Sequence, residues 1–246
     1  METILITGGT GLVGKAQVKH FLNEYKVALI YRNDDKLKEF NNHKNLIPIK
    51  INDLLSDDAV DNVIKELEKK EINPEYLINM ASDVRWQKNE PNGFVTRECM
   101  VNMYIINAVV PYELTFKLAE KRNSKLKKVI NISSMYGIIP YDPYLYENPK
   151  TQTFPQYALS KAALIHLTKE LAIRYKDRGI MVNTVSYGGV EGRVNDEFKR
   201  KFAEITPLKR MMQPEDTISA VDFLIKDNSN YITGQNIIVD GGRTTW

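Results

Sequence analysis

Tyr157 and Lys161 stand four residues apart in a segment with helical character, so their side chains share one face of a helix. A tyrosine hydroxyl titrates near pH ~10, and a fixed positive charge a few ångströms away favours the phenolate and lowers that pKa. Such a tyrosine can exchange a proton with a substrate hydroxyl or carbonyl. Because an isolated pair at this spacing is more often an ordinary surface pair, the rest of the chain has to decide between the two interpretations.

A glycine-rich turn follows the first apolar run of the chain. Gly9, Gly11 and Gly14 satisfy the pattern G-x-G-x-x-G between a strand-like segment and a helical one. Glycines allow a tight turn and a close backbone approach, so a pyrophosphate can bind free amides at the positive end of the helix. The turn therefore predicts a dinucleotide site. Its expected cofactor contacts are Gly8, Thr10, Gly11, Leu12, Val13 and Gly14.

The end of the second apolar run indicates which dinucleotide binds. A carboxylate there would hydrogen-bond the 2′-hydroxyl of NAD, but the chain has Tyr31, Arg32 and Asn33. An arginine suits the 2′-phosphate of NADP, so Arg32 favours NADP(H), with NAD(H) as the alternative. Asp34 and Asp35 follow closely and offer Arg32 an ordinary surface pairing instead.

Length and composition narrow the class of protein. The 246 residues suffice for a single α/β domain over 1–246, and a net charge of +3 is too small to favour nucleic acid as a partner. The only cysteine, Cys99, cannot form an intrachain disulfide, and no metal-ligand spacing occurs, so we predict no metal site. The start lacks a signal-peptide pattern and no run approaches 18 apolar residues, which predicts a cytoplasmic protein without a membrane partner.

Short apolar runs alternate with amphipathic segments, which is typical of a doubly wound parallel sheet with helices on both faces, the Rossmann fold. The predicted strands are near 3–7, 26–31, 45–51, 76–80, 126–132, 180–185 and 235–239. The predicted helices are near 12–24, 34–41, 57–71, 94–122, 156–176, 195–203 and 215–226. Pro111 should kink the fourth helix or mark a boundary. Substrate loops are expected at 138–156, which is rich in Pro, Tyr and Asn, and at 188–213.

Polar motifs end the fourth and fifth predicted strands, at Asn79 to Ser82 and at Ser133-Ser134. With the glycine turn before them and Tyr157 and Lys161 after them, their order resembles the short-chain dehydrogenase/reductase family, and the resemblance covers nearly the whole chain. It implies that Tyr157 is the general acid or base, Ser134 fixes the substrate oxygen, and Lys161 holds the nicotinamide ribose and lowers the pKa of the tyrosine.

The family also has a proton-relay asparagine in the fourth helix, for which this chain offers Asn107 and Asn102. The residues after Asn107 look like those that follow the relay asparagine in the family, so Asn107 is favoured. Further cofactor contacts implied by the resemblance are Asp53, Leu54, Asn79, Ala81, Ser82, Tyr157, Lys161, Gly188 and Val190. The alternative for Asp53 is a helix cap.

Some positions depart from the family pattern. Tyr187 replaces a usual proline, and Gly192 stands where a threonine often contacts the nicotinamide amide, a contact that Arg193 could replace. The basic residues that follow, up to Arg210, could bind a substrate phosphate or carboxylate, although a solvated helix face is favoured. The tyrosine-rich run 141–147 looks like oxidoreductases of bacterial surface-glycan and flagellin-glycan clusters, including those that make nonulosonic acids.

The resemblance therefore implies an NAD(P)-dependent oxidoreductase that interconverts a secondary alcohol and a ketone on a small hydroxylated substrate, derived from a sugar. The alternative substrate is a 3-oxoacyl group on acyl carrier protein. A nucleotide-sugar epimerase or dehydratase, suggested by the glycine spacing, and a catalytically silent regulator are disfavoured. Family members assemble as homodimers or homotetramers, which here would use the helices within 94–122 and 156–176 and the last strand.

Overall fold

Seven parallel strands form one sheet in the order β3-β2-β1-β4-β5-β6-β7. The computed structural model describes residues 1–40, 43–192 and 194–245. The strands are β1 (Thr3–Ile6), β2 (Lys26–Tyr31), β3 (Leu46–Lys50), β4 (Tyr76–Asn79), β5 (Lys128–Ser134), β6 (Met181–Tyr187) and β7 (Asn236–Val239). The prediction of a doubly wound parallel sheet is confirmed, and all seven predicted strands are present in the described chain.

Helices cover both faces of the sheet, which explains why β1 and β4 are buried along their whole length. The helices are α1 (Leu12–Phe21), α2 (Asp34–Leu37), α3 (Ala59–Lys69), α4 (Arg97–Tyr104), α5 (Val110–Ala119), α6 (Pro149–Gln152), α7 (Pro155–Arg174), α8 (Asp196–Glu204) and α9 (Ile218–Ile225). Val63, Leu114 and Leu171 bring α3, α5 and α7 onto one face. Val18 and Val221 bring α1 and α9 onto the other.

The strand order reverses between β1 and β4, because β2 and β3 lie on one side of β1 and β4 to β7 on the other. Loops that leave the carboxyl ends of β1 and β4 therefore diverge and open a crevice, the usual ligand site of such sheets. The glycine turn follows β1 and the motif 79–82 follows β4, so both predicted cofactor motifs lie at this crevice.

Three predicted helices are not continuous α-helices. The segment predicted over 34–41 is an α-helix to Leu37 and then a 3₁₀ turn, Lys38–Phe40, and position 41 lies outside the described residues. The segment predicted over 215–226 begins with a 3₁₀ turn, Pro214–Thr217, before α9. The segment 94–122 forms α4 and α5 joined by a π-helical turn, Ile105–Val109. Pro111 causes this break in the regular pattern, since it has no amide hydrogen to donate to the carbonyl of Asn107, four residues earlier.

The loop 138–156 is more ordered than its irregular sequence indicates, with a 3₁₀ turn at Pro143–Leu145 and the short helix α6. Leu145 is buried with Met135, Phe202 and Met211 in a small apolar cluster that joins the loop to α8. Within the described chain, no helix combines the length and the apolar character needed to cross a bilayer.

Candidate active site

A cavity of about 620 Å³ lies at the carboxyl ends of the strands and runs from the glycine turn to the tyrosines of the 138–156 loop. The predicted site residues that line it are Gly8, Thr10, Gly11, Leu12, Val13, Gly14, Arg32, Ser82, Ser134, Tyr157, Lys161, Gly188 and Val190. Those outside its lining are Asp53, Leu54, Asn79, Ala81 and Asn107. The structure therefore gathers most of the predicted residues around one space and places the others behind or beside it.

The glycine turn is held against the loop that follows β4. Thr7 Oγ1 accepts hydrogen bonds from the backbone amides of Met80 and Ala81, each at 3.0 Å. Gly8 has φ +72°, and a Cβ on it would lie 2.7 Å from the Ala81 nitrogen. Only glycine fits this position, because the conformation and the close approach both exclude a side chain. Ala81 therefore supports the turn from behind.

The amino end of α1 fits a pyrophosphate. Its N-cap residue, Gly11, provides no capping side chain, and the first turn holds no acidic residue. Leu12, Val13 and Gly14, whose amides belong to this first turn, line the cavity. Because a capping side chain or a nearby carboxylate would compete with an anion, this arrangement suits a dinucleotide.

Asn79 lies buried beneath the turn. Its Nδ2 donates to Asn131 Oδ1 at 2.9 Å. Its own Oδ1 is buried and has no hydrogen-bond partner among the described residues. Gly188 is in close contact with the residue after the last strand, since a Cβ at this position would lie 2.9 Å from the Cα of Asp240. Gly188 lines the cavity, whereas Asn79 lies outside its lining.

Lys161 lies on α7 with only 3% of its surface exposed. Its Nζ donates to the backbone carbonyl of Ile132 at 2.7 Å and lies 5.8 Å from the centre of the Tyr157 ring. Burial lowers the pKa of Lys161 to about 7, because the charged form loses its hydration. The lysine and the tyrosine therefore share one helix face and one cavity, as their spacing predicts.

The two serines that end β5 have different partners. Ser133 Oγ donates to the carbonyl of Lys161 at 2.9 Å, which ties β5 to α7. Ser134 Oγ accepts a hydrogen bond from the Tyr136 amide at 3.2 Å, so its own hydroxyl proton stays available to a ligand. This geometry agrees with the choice of Ser134 for the substrate oxygen, a role that stays a prediction.

Asn107 is buried in the π-helical turn. Its Nδ2 donates to Ser160 Oγ at 2.9 Å, and Ser160 Oγ donates to the Tyr157 carbonyl at 2.8 Å. Asn107 is thus connected to the backbone of α7 beside the tyrosine, whereas Asn102 is half-buried on α4. The role of Asn107 in a proton relay stays a prediction.

Arg32 does not pair with the acidic residues that follow it in the chain. Asp34 binds Lys50 and Asp35 binds Lys38. The partner of Arg32 is instead Asp83, at 3.4 Å, in the loop after β4. Sequence reasoning missed Asp83, although a charged residue directly after the polar end of β4 was a signal that could have drawn attention to it.

Asp83 belongs to a longer row of charges, because it also binds Arg85, which in turn reaches Asp53. Asp53 additionally accepts a hydrogen bond from the Leu55 amide at 3.1 Å, a turn contact like the cap proposed as its alternative role. Leu54 packs against the core on the α3 face of the sheet.

Aromatic side chains form the far end of the cavity. The rings of Tyr136 and Tyr141 stack with centroids 3.8 Å apart, and the hydroxyls of Tyr136 and Tyr146 are 3.0 Å apart. Burial raises the pKa of Tyr136 and of Tyr141, so both phenols stay neutral at neutral pH. Phe198 packs edge-on against Tyr146, with ring centroids 5.7 Å apart.

The departures from the family pattern have local explanations. Tyr187 is buried, donates to the Thr217 carbonyl at 2.5 Å and accepts from Gln17 Nε2 at 2.9 Å, so it anchors the end of β6. Gly192 has φ +122° and lies against the Leu12 side chain. Arg193 lies outside the described residues.

The basic residues that the structure describes between α8 and Arg210 have partners nearby in the chain. Lys199 lies 3.4 Å from Asp196, Lys201 lies 3.2 Å from Glu197, and Arg200 and Arg210 bind Glu204 and Asp216. Lys209 Nζ donates to the Glu204 carbonyl at 3.2 Å. These contacts favour a solvated helix face over a phosphate site.

Comparisons with known proteins agree with the interpretation of the cavity as a dinucleotide site. A model of the family described as enoyl-(acyl carrier protein) reductase matches residues 13–244. The chain is 30% identical to the 3-oxoacyl-[acyl-carrier-protein] reductase FabG of Rickettsia bellii (strain RML369-C), over 98% of this chain and 96% of the relative. It is 26% identical to the post-translational flagellin modification protein A of Campylobacter coli, over 98% and 97%.

Among solved structures, 4-hydroxyisoleucine dehydrogenase complexed with NADH is similar with a TM-score of 0.86 and 26% identity, over 100% of both chains. Its fold, its full-length match and its dinucleotide agree with the crevice, the uncapped helix end and the order of motifs found in this chain. The protein is therefore an NAD(P)-dependent oxidoreductase and belongs to the short-chain dehydrogenase/reductase family.

Proposed function

We propose that the protein interconverts a secondary alcohol and a ketone on a hydroxylated, sugar-derived substrate, with NADP(H) favoured and NAD(H) usable. The observation that carries the proposal is the tyrosine cluster of Tyr136, Tyr141 and Tyr146, which lines the same cavity as Ser134 and Tyr157. Aromatic faces pack against the apolar faces of a sugar ring, and phenol hydroxyls exchange hydrogen bonds with its hydroxyls.

In the proposed reaction, side chains of this protein transfer the proton and position the substrate. A nicotinamide cofactor, when bound, supplies or accepts the hydride. The Tyr157 hydroxyl gives a proton to the carbonyl oxygen during reduction and takes it back during oxidation. The Ser134 hydroxyl donates a hydrogen bond to the same oxygen and fixes its position. Lys161 favours the phenolate of Tyr157 when the lysine is protonated, because the two groups are close and Lys161 is buried.

A surface-glycan role is supported by the flagellin modification relative, which matches nearly the whole chain. A second candidate is reduction of a 3-oxoacyl group on acyl carrier protein. Val194, Phe198 and Met211 give the cavity an apolar wall that suits an acyl chain, and the Rickettsia relative carries that name. The hydroxyls of Tyr136, Tyr141 and Tyr146 in the same lining favour the sugar-derived substrate, since an acyl chain offers them no hydrogen-bond partner.

A direct comparison of substrates tests the choice. The wild-type protein is assayed with NADPH and with NADH against keto sugars, sugar phosphates and nucleotide-linked keto sugars, and against acetoacetyl thioesters. We expect kcat/KM to be higher for a keto sugar than for the thioester. A higher kcat/KM for the thioester would replace the first proposal by the second.

The role of Tyr157 is tested with Tyr157→Phe on the best substrate from that comparison. Loss of the phenol proton should lower kcat by about 10²- to 10⁴-fold, while the dissociation constant of the cofactor changes little. Tyr231→Phe is the matched control, because Tyr231 is fully exposed and outside the cavity lining. Full turnover by Tyr157→Phe would refute the mechanism.

A further inference from the structure

Four side chains of alternating charge form a row where the cavity reaches the carboxyl end of β2. Arg32 Nη1 lies 3.4 Å from Asp83 Oδ2. The same oxygen accepts from Arg85 Nε at 2.8 Å and Nη2 at 2.5 Å, and Arg85 Nη2 lies 3.3 Å from Asp53 Oδ2. The row therefore reads Asp53, Arg85, Asp83, Arg32, and its two charge types balance.

Asp83 is the most enclosed member of this row. Its side chain is 12% exposed, against 54% for Arg32 and 46% for Arg85. Burial opposes ionisation, but hydrogen bonds from the Arg85 side chain and backbone and the charges of Arg85 and Arg32 lower the pKa of Asp83 below its ordinary value. At neutral pH a partly buried negative charge is thus fixed at this point of the cavity wall.

The position of this charge matters because Arg32 and Asp83 line the cavity together. In dinucleotide-binding sheets the tip of the second strand reads the adenosine ribose, through a carboxylate for a 2′-hydroxyl or an arginine for a 2′-phosphate. In this chain the arginine is at that tip and the carboxylate comes from the loop after β4. A 2′-phosphate beside Arg32 would compete with Asp83 for the guanidinium and be repelled by it, whereas a 2′-hydroxyl could donate to Asp83.

We propose that Asp83 is a cofactor-selectivity residue that limits the preference of this protein for NADP(H) and allows NAD(H) to serve. The proposal rests on the proposed function only in that the protein must bind a nicotinamide dinucleotide. It assigns to the loop after β4 the ribose-reading carboxylate that β2 lacks. Arg32 then favours NADP(H) and Asp83 favours NAD(H), and the difference between the two effects sets the cofactor selectivity.

Asp83→Asn tests the proposal by removing the charge and keeping the local structure. The Asp83 side chain caps the following 3₁₀ turn by accepting from the Arg85 amide at 3.0 Å, and an asparagine oxygen can accept the same bond. Dissociation constants for NADH and NADPH are measured by fluorescence titration without substrate. We expect the ratio of the NADPH constant to the NADH constant to fall about tenfold, because one repulsive charge is lost and Arg32 is freed.

Asp61→Asn is the matched control, because Asp61 binds Lys117 on the surface of α3, and neither residue lines the cavity. It should leave the ratio unchanged. In the double variant Asp83→Asn/Arg32→Gln, most of the shift should disappear if Asp83 acts through Arg32. Asp83→Ser, which keeps a capping oxygen, should give the same shift as Asp83→Asn and replaces it if that variant does not fold.

The outcomes separate this inference from the proposed function. A ratio within twofold of wild type in both Asp83→Asn and Asp83→Ser, with both dinucleotides bound, would overturn the role of Asp83 and leave the enzyme assignment intact. Failure of the wild-type protein to bind either dinucleotide would overturn the proposed function itself.

Discussion

At the scale of single residues, the burial of Lys161 lowers the stability of the folded protein while it places the ammonium beside Tyr157. An ammonium at 3% exposure with a backbone carbonyl as its hydrogen-bond acceptor is poorly solvated in its charged form. The same burial brings its pKa to about 7, where small changes in the surroundings alter its charge. A bound ligand with hydroxyl groups would give Nζ further acceptors and favour the charged state.

Comparison with the variant Lys161→Met should reveal this cost as a pH dependence of the free energy of unfolding. The folded pKa of about 7 lies below the unfolded value of 10.5, so the unfolded chain binds more protons between these pH values. Wild-type stability should therefore rise with pH through this window, and the free energy of unfolding of wild type relative to Lys161→Met should increase by about 2–3 kcal/mol from pH 6 to pH 9.

Urea unfolding without cofactor at several pH values measures this difference. Lys169→Met, at an exposed position on the same helix, is the control and should follow the wild-type pH profile. Parallel profiles for wild type and Lys161→Met would contradict the expectation.

At the scale of elements, the loop 138–156 is held by a contact from the end of the chain. Arg243 has 7% of its surface exposed and donates from Nη2 to Asp142 Oδ2 at 2.7 Å. Asp142 also accepts from the Tyr144 amide at 3.0 Å and so caps the 3₁₀ turn of the loop. Asp240 orders the segment that presents Arg243, because it accepts from the amides of Gly242 and Thr244. The position of the loop 138–156 thus depends on residues that lie about a hundred positions later in the chain.

Arg243→Met should loosen this loop and weaken substrate binding more than catalysis. If the loop has to be ordered during binding, a cost of about 1.4 kcal/mol raises KM roughly tenfold. The dissociation constant of the cofactor should stay within about twofold, because neither Arg243 nor Asp142 lines the cavity near the glycine turn. Steady-state kinetics and cofactor titration measure both quantities.

Arg178→Met provides the comparison, since Arg178 binds Glu120 at 2.7 Å away from the cavity lining. An equal rise in KM in both variants would argue for general destabilisation and against a specific contact with the loop.

At the scale of the whole molecule, the outer face of α4, α5 and α7 exposes large apolar side chains. Val101, Tyr104 and Phe116 are 48%, 50% and 38% exposed, and Leu159 on the neighbouring α7 is 61% exposed. Large exposed apolar patches mark protein–protein interaction sites. We propose that a second copy of the chain covers it, in a homodimer or homotetramer.

Light scattering should therefore give wild type the mass of a dimer or tetramer. Leu159→Glu should lower the measured mass at the same protein concentration, because it places a charge in the proposed contact. Lys65→Glu on the exposed face of α3 should not. A wild-type peak at monomer mass would exclude the proposed assembly.

Features that depend on neighbours a few residues apart were predictable from the sequence. The strands follow from short apolar runs, the glycine turn from its spacing, and the shared helix face of Tyr157 and Lys161 from helical periodicity. The break near Pro111 was predictable too, although its form as a π-helical turn was not.

The tertiary structure alone decided which distant side chains meet. It paired Arg32 with Asp83, 51 residues away, and Asp142 with Arg243, 101 residues away. It also buried Asn107 against α7 and left Asn102 half-buried. Such contacts depend on how loops leave the sheet and on which faces pack, and no local pattern carries that information. The sequence by itself determined the fold and predicted the reacting groups, while packing decided which charges surround Arg32 and what supports the loop 138–156.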